Sequence, residues 1–272
     1  MPTLGHADAE LYYDVIDVVP RWRGEPQTIL FHHGLGLNAE IWADWIPALA
    51  DRFRLVRFDM RGCGRSSVPP PGYHWSFEGL AADILAIARA TQCGERFHLV
   101  GESLGGIMGY YLAIRHRERL RSVVAITANH QGPRIGGNVR DWRHVIEEHG
   151  IEAWSEGMLE SRFFPGAIAP DYRAWLHQMQ VASSPRVILD VSGGLLRPMD
   201  LRPDLAGIAT PLMLLVGEAS PFVTVETLLD IRDQVKHAQL HVVAGARHGV
   251  AMSHAAECAR VARTFIERHA NA

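Results

Sequence analysis

Short apolar runs recur along the chain, each stopped by glycine, proline or a polar cluster, with amphipathic stretches between them. Thr28–His32, Arg54–Met60, Arg96–Val100, Ser122–Thr127, Pro211–Gly217 and Gln239–Val243 have the length and branched-chain content of buried strands. Glu10–Val19, rich in Tyr, Val and Ile, adds one or two edge strands before the break at Pro20 to Pro26. Ile41, Trp42, Trp45, Ile46 and Leu49 fall at helical spacing behind Asn38, a residue suited to capping a helix. Phe77, Leu80, Ala81, Ile84, Ile87 and Ala88 mark a second amphipathic helix. Further helices are expected after Ser103, over Val225 to Val235, and near the end, where His254, Cys258, Val261 and Phe265 share a face. The alternation predicts an α/β protein with a doubly wound, mostly parallel sheet.

The rhythm changes from about Gly132 to Asp200. No clear strand is visible there; helix-like segments carry Trp142, Trp154, Phe163, Phe164, Trp175, Met179 and Leu195 and are broken by Pro165, Pro170, Pro185 and Pro198. The expected organisation is a core of residues 1–131 and 201–272 with a helical cap inserted at 132–200. The aromatics of the insertion suit either an apolar substrate site or simple packing.

Composition adds boundaries rather than detail. A chain of 272 residues, 47% hydrophobic and 21% charged, can bury a sizeable core. A net charge of -3 gives no electrostatic footprint for nucleic acid or an anionic membrane. No apolar run is long enough to span a bilayer, and the first residues show no secretory pattern. Cys63, Cys93 and Cys258 are odd in number and far apart, which suits unpaired thiols in a reducing compartment. The expectation is a cytoplasmic protein acting on a small molecule, with no nucleic-acid or membrane partner and with room for a homo-oligomer.

The chemistry gathers around one stretch. Gly101-Glu102-Ser103-Leu104-Gly105 follows a strand and enters a helix, which fits the G-x-S-x-G nucleophile elbow. Such a turn lifts a serine hydroxyl clear of the backbone and aims the free N–H groups of the helix start at negative charge beside it. The pentapeptide also occurs in ordinary loops; the strand before it and the helix after it give it weight. No grouping of His, Cys and carboxylates has metal-ligand spacing, so no cofactor is expected.

Four motifs stand in order along the chain: His33-Gly34-Leu35-Gly36, Asp59-Met60-Arg61-Gly62-Cys63-Gly64-Arg65-Ser66, the elbow, and Gly245-Ala246-Arg247-His248. In this the chain resembles the α/β hydrolases, in the cap-bearing esterase and 3-oxoadipate enol-lactonase-like branch. The resemblance implies Ser103 as nucleophile and His248 as the base that takes its proton. It places the oxyanion donors on the backbone N–H groups of Leu35 and Leu104. It gives His32, His33, Asp59 and Arg61 bracing roles in the loops.

The third triad member departs from the pattern. The family's G-x-x-D places an acid three residues after Gly217, where this chain has Ser220; the alternative place, at the end of the sixth strand, is Thr127. Three readings stand. Glu218 swings in as the acid; or Ser103 and His248 work as a dyad, with Ser220 or Asn129 holding the ring; or catalysis is lost or redirected. Arg162, Arg173 and Arg186 of the insertion are candidates for a substrate carboxylate, though exposed arginines usually serve solubility. The expected function is hydrolysis of a carboxylic ester or lactone through an acyl-enzyme. C–C bond hydrolysis of a diketone-like substrate, or a pocket that binds with little turnover, are the alternatives.

Overall fold

The computed structural model describes residues 2–136 and 141–270. One sheet carries eight strands: β1 (Thr3–His6), β2 (Ala9–Ile16), β3 (Thr28–His32), β4 (Arg54–Phe58), β5 (Phe97–Glu102), β6 (Leu120–Ile126), β7 (Leu212–Gly217) and β8 (Gln239–Val243). Their order is β1-β2-β4-β3-β5-β6-β7-β8. β1 and β2 form an antiparallel hairpin, and β2 runs antiparallel to β4; every other neighbour pair is parallel. The first strand begins earlier than the apolar pattern suggested, because its four residues alternate too weakly to be read. Ala7 turns the chain into β2 at a φ of 51°.

Parallel strands covered on both faces must be apolar throughout. β3, β5 and β7 are accordingly buried at every position. The two-residue period divides their side chains between two cores. Leu30, Leu99, Val123 and Leu214 join one, and Ile29, Phe31, Val100, Val124 and Leu215 the other.

Helix starts follow local chemistry. Ser76 accepts the N–H of Gly79 at 3.1 Å and opens the helix Phe77–Ala90. Asn38 accepts the N–H of Glu40 at 2.9 Å, as its cap role required. The segment it opens is a 3-10 helix, Ala39–Trp45, followed by one α-turn, Ile46–Leu49. Its tryptophans are buried all the same.

Residues 142–196 form the helices Trp142–Arg162, Pro170–Val181 and Pro185–Asp190 and a π-turn, Val191–Leu196; the first is broken at Gly150, whose φ is 84°. Residues 137–140 of the expected insertion lie outside the described residues. At its base Gln131 bridges Asp200, and the N–H of Gly132 donates to Met199. Its apolar side chains merge with both cores rather than packing alone: Trp154 and Met158 with one, Leu159 and Phe163 with the other.

The chain leaves β3 for β4 on one side and returns to β5 on the other. The crevice at the carboxyl ends of β3 and β5 is therefore the topological switch point, where open α/β sheets place ligands. The loop after β3 and the turn after β5 both open there.

Candidate active site

Ser103 sits at the turn from β5 into the helix Leu104–Arg115 with φ 53° and ψ -114°. A non-glycine residue held there costs of order 1–3 kcal/mol and persists only when its surroundings fix it. Here they do. The N–H of Ser103 donates to Ile126 on β6 at 2.8 Å, and its carbonyl receives the N–H of Ile107 at 3.0 Å. The flanking glycines are steric necessities. A Cβ on Gly101 would stand 2.2 Å from the Gly105 backbone, and one on Gly105 would stand 2.1 Å from the His32 carbonyl. The helix then begins at Leu104, so its first N–H groups have no partner within the helix.

The loop after β3 is held by two neutral histidines. His33 is fully buried; its Nδ1–H donates to the Gly34 carbonyl at 2.8 Å while Nε2 accepts the N–H of Met60 at 2.9 Å. That pair of contacts fixes the tautomer and the peptide plane ahead of Leu35. His32 Nδ1 lies 2.8 Å from the His33 carbonyl. Burial, aided by the neighbouring His33, lowers His32 to about 3, so it stays uncharged. Asp59 accepts the N–H groups of Ala39 and Arg65, both at 2.8 Å, and Arg61 holds Asp83 through a two-pronged pair. These are loop braces of the kind the sequence implied.

His248 lines the same cavity as Ser103, Leu35, Thr127 and Asn129. Its Nδ1 lies 3.2 Å from Ser220 Oγ, which also accepts the N–H of Val223 at 3.4 Å. The structure brings Ser220, not Glu218, to the ring. The carboxylate of Glu218 accepts the N–H of Gly245 at 3.1 Å and faces solvent, because the side chain after Gly217 points away from the crevice. Asn129 is not the ring partner either. Its Oδ1 accepts the N–H groups of His130 and Gln131, at 2.8 and 3.1 Å, which makes it a turn residue at the end of β6. Thr127 holds a φ of 46° beside it, a strained conformation for a β-branched residue at the cavity wall. Phe222 presents its ring edge-on to His248 at 4.8 Å, and Trp142 packs against Phe222.

On its other edge His248 meets an arrangement the sequence did not single out. Glu102, the residue between Gly101 and Ser103, is fully buried, and its Oε1 lies 3.8 Å from His248 Nε2. The same oxygen accepts Arg162 Nη1 at 2.8 Å. A glutamate inside an otherwise apolar strand was the available signal. Burial first, and the Arg162 charge second, push His248 well below the ordinary histidine range. Of the three arginines considered, only Arg162 lines the cavity. Arg173 pairs with Glu156 at the surface, and Arg186 holds the carbonyls of Pro69 and Pro70.

The helices of residues 142–196 close over this crevice at three points. Trp154 lies against Gly36, Phe163 against Gly249, and the N–H of Gly249 donates to the Arg162 carbonyl at 2.9 Å.

Ser103 at its strained turn, the buried imidazole of His248 and the start of the helix Leu104–Arg115 thus meet at one cavity. The family profile of the α/β-hydrolase fold matches residues 27–148. A pimeloyl-acyl-carrier-protein methyl ester esterase of Aeromonas hydrophila is 26% identical over 264 residues, 91% of this chain and 98% of that protein. The 3-oxoadipate enol-lactonase 2 of Acinetobacter baylyi is 27% identical over 254 residues, 89% and 90% of the two chains. RutD of Agrobacterium fabrum, named as a carbamate hydrolase, is 35% identical over 141 residues, so the match spans about half the length of that relative (52%). The enol-lactonase structure from Burkholderia xenovorans superposes with a TM-score of 0.87 at 23% identity, covering 98% of this chain and 100% of that one, and shows the shared fold.

Fold and relatives together define the class: an enzyme of the α/β-hydrolase fold, similar to esterases and enol-lactonases. The relatives' names run from methyl esters to lactones and carbamates, so the class stops short of one substrate. Among the described residues no helix is long and apolar enough to cross a membrane.

Proposed function

We propose that the chain hydrolyses a carboxylic ester or lactone through an acyl-enzyme on Ser103, with His248 as general base and residues 132–200 as a cap over the site. One observation carries this reading: the strained Ser103 and the buried His248 line one cavity, and Ser220 holds the far nitrogen of the ring. With Nδ1–H donating to Ser220 Oγ, Nε2 keeps its lone pair for the Ser103 proton. The serine oxygen attacks the carbonyl carbon, and the tetrahedral oxyanion falls to the N–H groups of Leu35 and Leu104, each worth about 3 kcal/mol in the transition state. The imidazolium then returns its proton to the leaving alkoxide, and water repeats the sequence on the acyl-enzyme. The apolar wall of Ile107, Met158, Leu196 and Val223 favours a compact apolar acyl group.

The test is covalent. A neutral fluorophosphonate should label the protein once, at Ser103, and Ser103→Ala should abolish both labelling and cleavage of 4-nitrophenyl acetate. An unlabelled, folded protein would sink the reading.

A further inference from the structure

A triad carboxylate does two jobs: it fixes the ring tautomer and it stabilises the imidazolium. In this chain the jobs fall to different side chains. Ser220 takes the first through Nδ1, but a hydroxyl brings no charge. The charge stands on the opposite edge of the ring.

We propose that Glu102 supplies the missing carboxylate charge to His248 from its Nε2 side, and that Arg162 of the cap sets how much of that charge the ring receives. The inference rests on the reading of Ser103 and His248 given above. Glu102 acts through His248, so it is a positioning residue; the serine proton still moves to Nε2, and the glutamate takes none.

Three observations support the assignment. First, Glu102 is placed with care: a Cβ on Gly34 would stand 2.0 Å from its Oε2 and 3.1 Å from Ser103 Cβ, so the glycine of the oxyanion loop makes the room it occupies. Second, the pair is underbonded. Among the described residues Glu102 Oε2 and Arg162 Nε are both buried without a hydrogen-bond partner, whereas a pair serving only to fasten the cap gains by engaging both prongs. Third, Glu102 Oε1 is shared, 2.8 Å from Arg162 Nη1 and 3.8 Å from His248 Nε2. A proton arriving on Nε2 meets that oxygen; the resting lone pair does not gain from it, and Arg162 keeps the ring from being protonated in advance.

Among the described residues the groups facing His248 are few. Glu102 comes from β5, Arg162 from the cap helix, and Ser220 and the Phe222 edge from the loop after β7. Arg247, its chain neighbour, turns outward to the Glu160 carbonyl and the Phe164 ring. Among the described residues the two charges on the ring are therefore Glu102 and Arg162, and they pull its basicity in opposite directions.

That opposition gives the test. The rate of fluorophosphonate labelling would be followed from acid to alkaline pH in the full-length wild-type chain, Glu102→Gln, Arg162→Met and the double variant, with thermal melting alongside. Arg162→Met should move the acid limb upward by about one pH unit or more, because the freed carboxylate then favours the imidazolium. Glu102→Gln should move that limb further down and cut the plateau rate about tenfold or more. The double variant, which removes both buried charges, should recover melting temperature but keep the low plateau. Single variants that shift the limb in the same direction, or a double variant that recovers the full rate, would show a structural latch and overturn the inference. If the wild-type chain is not labelled, the nucleophile reading fails by itself. The nitrogen-15 titration of the His248 ring in the same four proteins then decides the Glu102 inference separately, the same opposed shifts being required.

Discussion

Ser220→Asp tests how far the hydroxyl at Nδ1 limits this site. The change places a carboxylate where the family pattern has one, with Val223 N–H already directed at that position, 3.4 Å from Ser220 Oγ. At the observed 3.2 Å to Nδ1, two unit charges attract by about 5 kcal/mol at an effective dielectric constant of 20. Burying the new carboxylate costs several kcal/mol, and one backbone N–H offsets part of that. A net gain of about 1–3 kcal/mol remains, or roughly 10- to 100-fold in rate at about 1.4 kcal/mol per decade. The full span open to such a carboxylate is about 10⁴, but Glu102 already supplies part of it. The assay is kcat/KM on 4-nitrophenyl acetate across pH, with a melting curve to confirm the fold. The rate should rise, and the acid limb should move up toward the ordinary histidine range, since a charge at Nδ1 stabilises the imidazolium. A folded variant with an unchanged rate and an unmoved limb would refute the claim that the ring is short of charge.

Other outcomes follow from the same geometry. Ser220→Ala should lower kcat/KM by up to about tenfold, the worth of one neutral hydrogen bond, while Glu218→Gln should leave it unchanged; the reverse order would return Glu218 to the ring. Gly101→Ala should destabilise the fold by about 3 kcal/mol in urea unfolding, because its Cβ meets the Gly105 backbone at 2.2 Å. Burial also lowers His98 to about 3, as it does His32. The unfolded chain therefore binds more protons than the folded one below about pH 6.5. Stability should be full above that pH and fall by about 1.4 kcal/mol per unit for each ring as the pH drops toward 3. Denaturant titrations at neutral and mildly acid pH check this slope, and His98→Gln should flatten it.

Much of the fold was legible because parallel strands covered on both faces must be apolar throughout. Thr28–His32 and Gln239–Val243 were read to the residue, and the other central strands to within a few. The elbow was legible for a related reason: Gly101 and Gly105 stand where any side chain would strike backbone, so the glycines are a steric record of the turn. The edge strand Thr3–His6 was missed because four residues facing solvent on one side carry too little pattern.

What the sequence determined by itself was the list of local parts: strands, the strained turn for Ser103, the Asn38 cap, and the position of His248 after the last strand. Those depend on backbone sterics and on which positions avoid water, and both act over a few residues. What only the tertiary structure decided was who stands around the imidazole. Glu218 and Ser220 lie two residues apart on one loop, and the direction of β7 and its turn sends one to solvent and the other to Nδ1. Glu102 and Arg162 lie far apart in the chain and meet only because the helix Trp142–Arg162 ends over β5. Charge acts through space, so the electrostatics of Ser103 and His248 came into view only when the chain had folded around them.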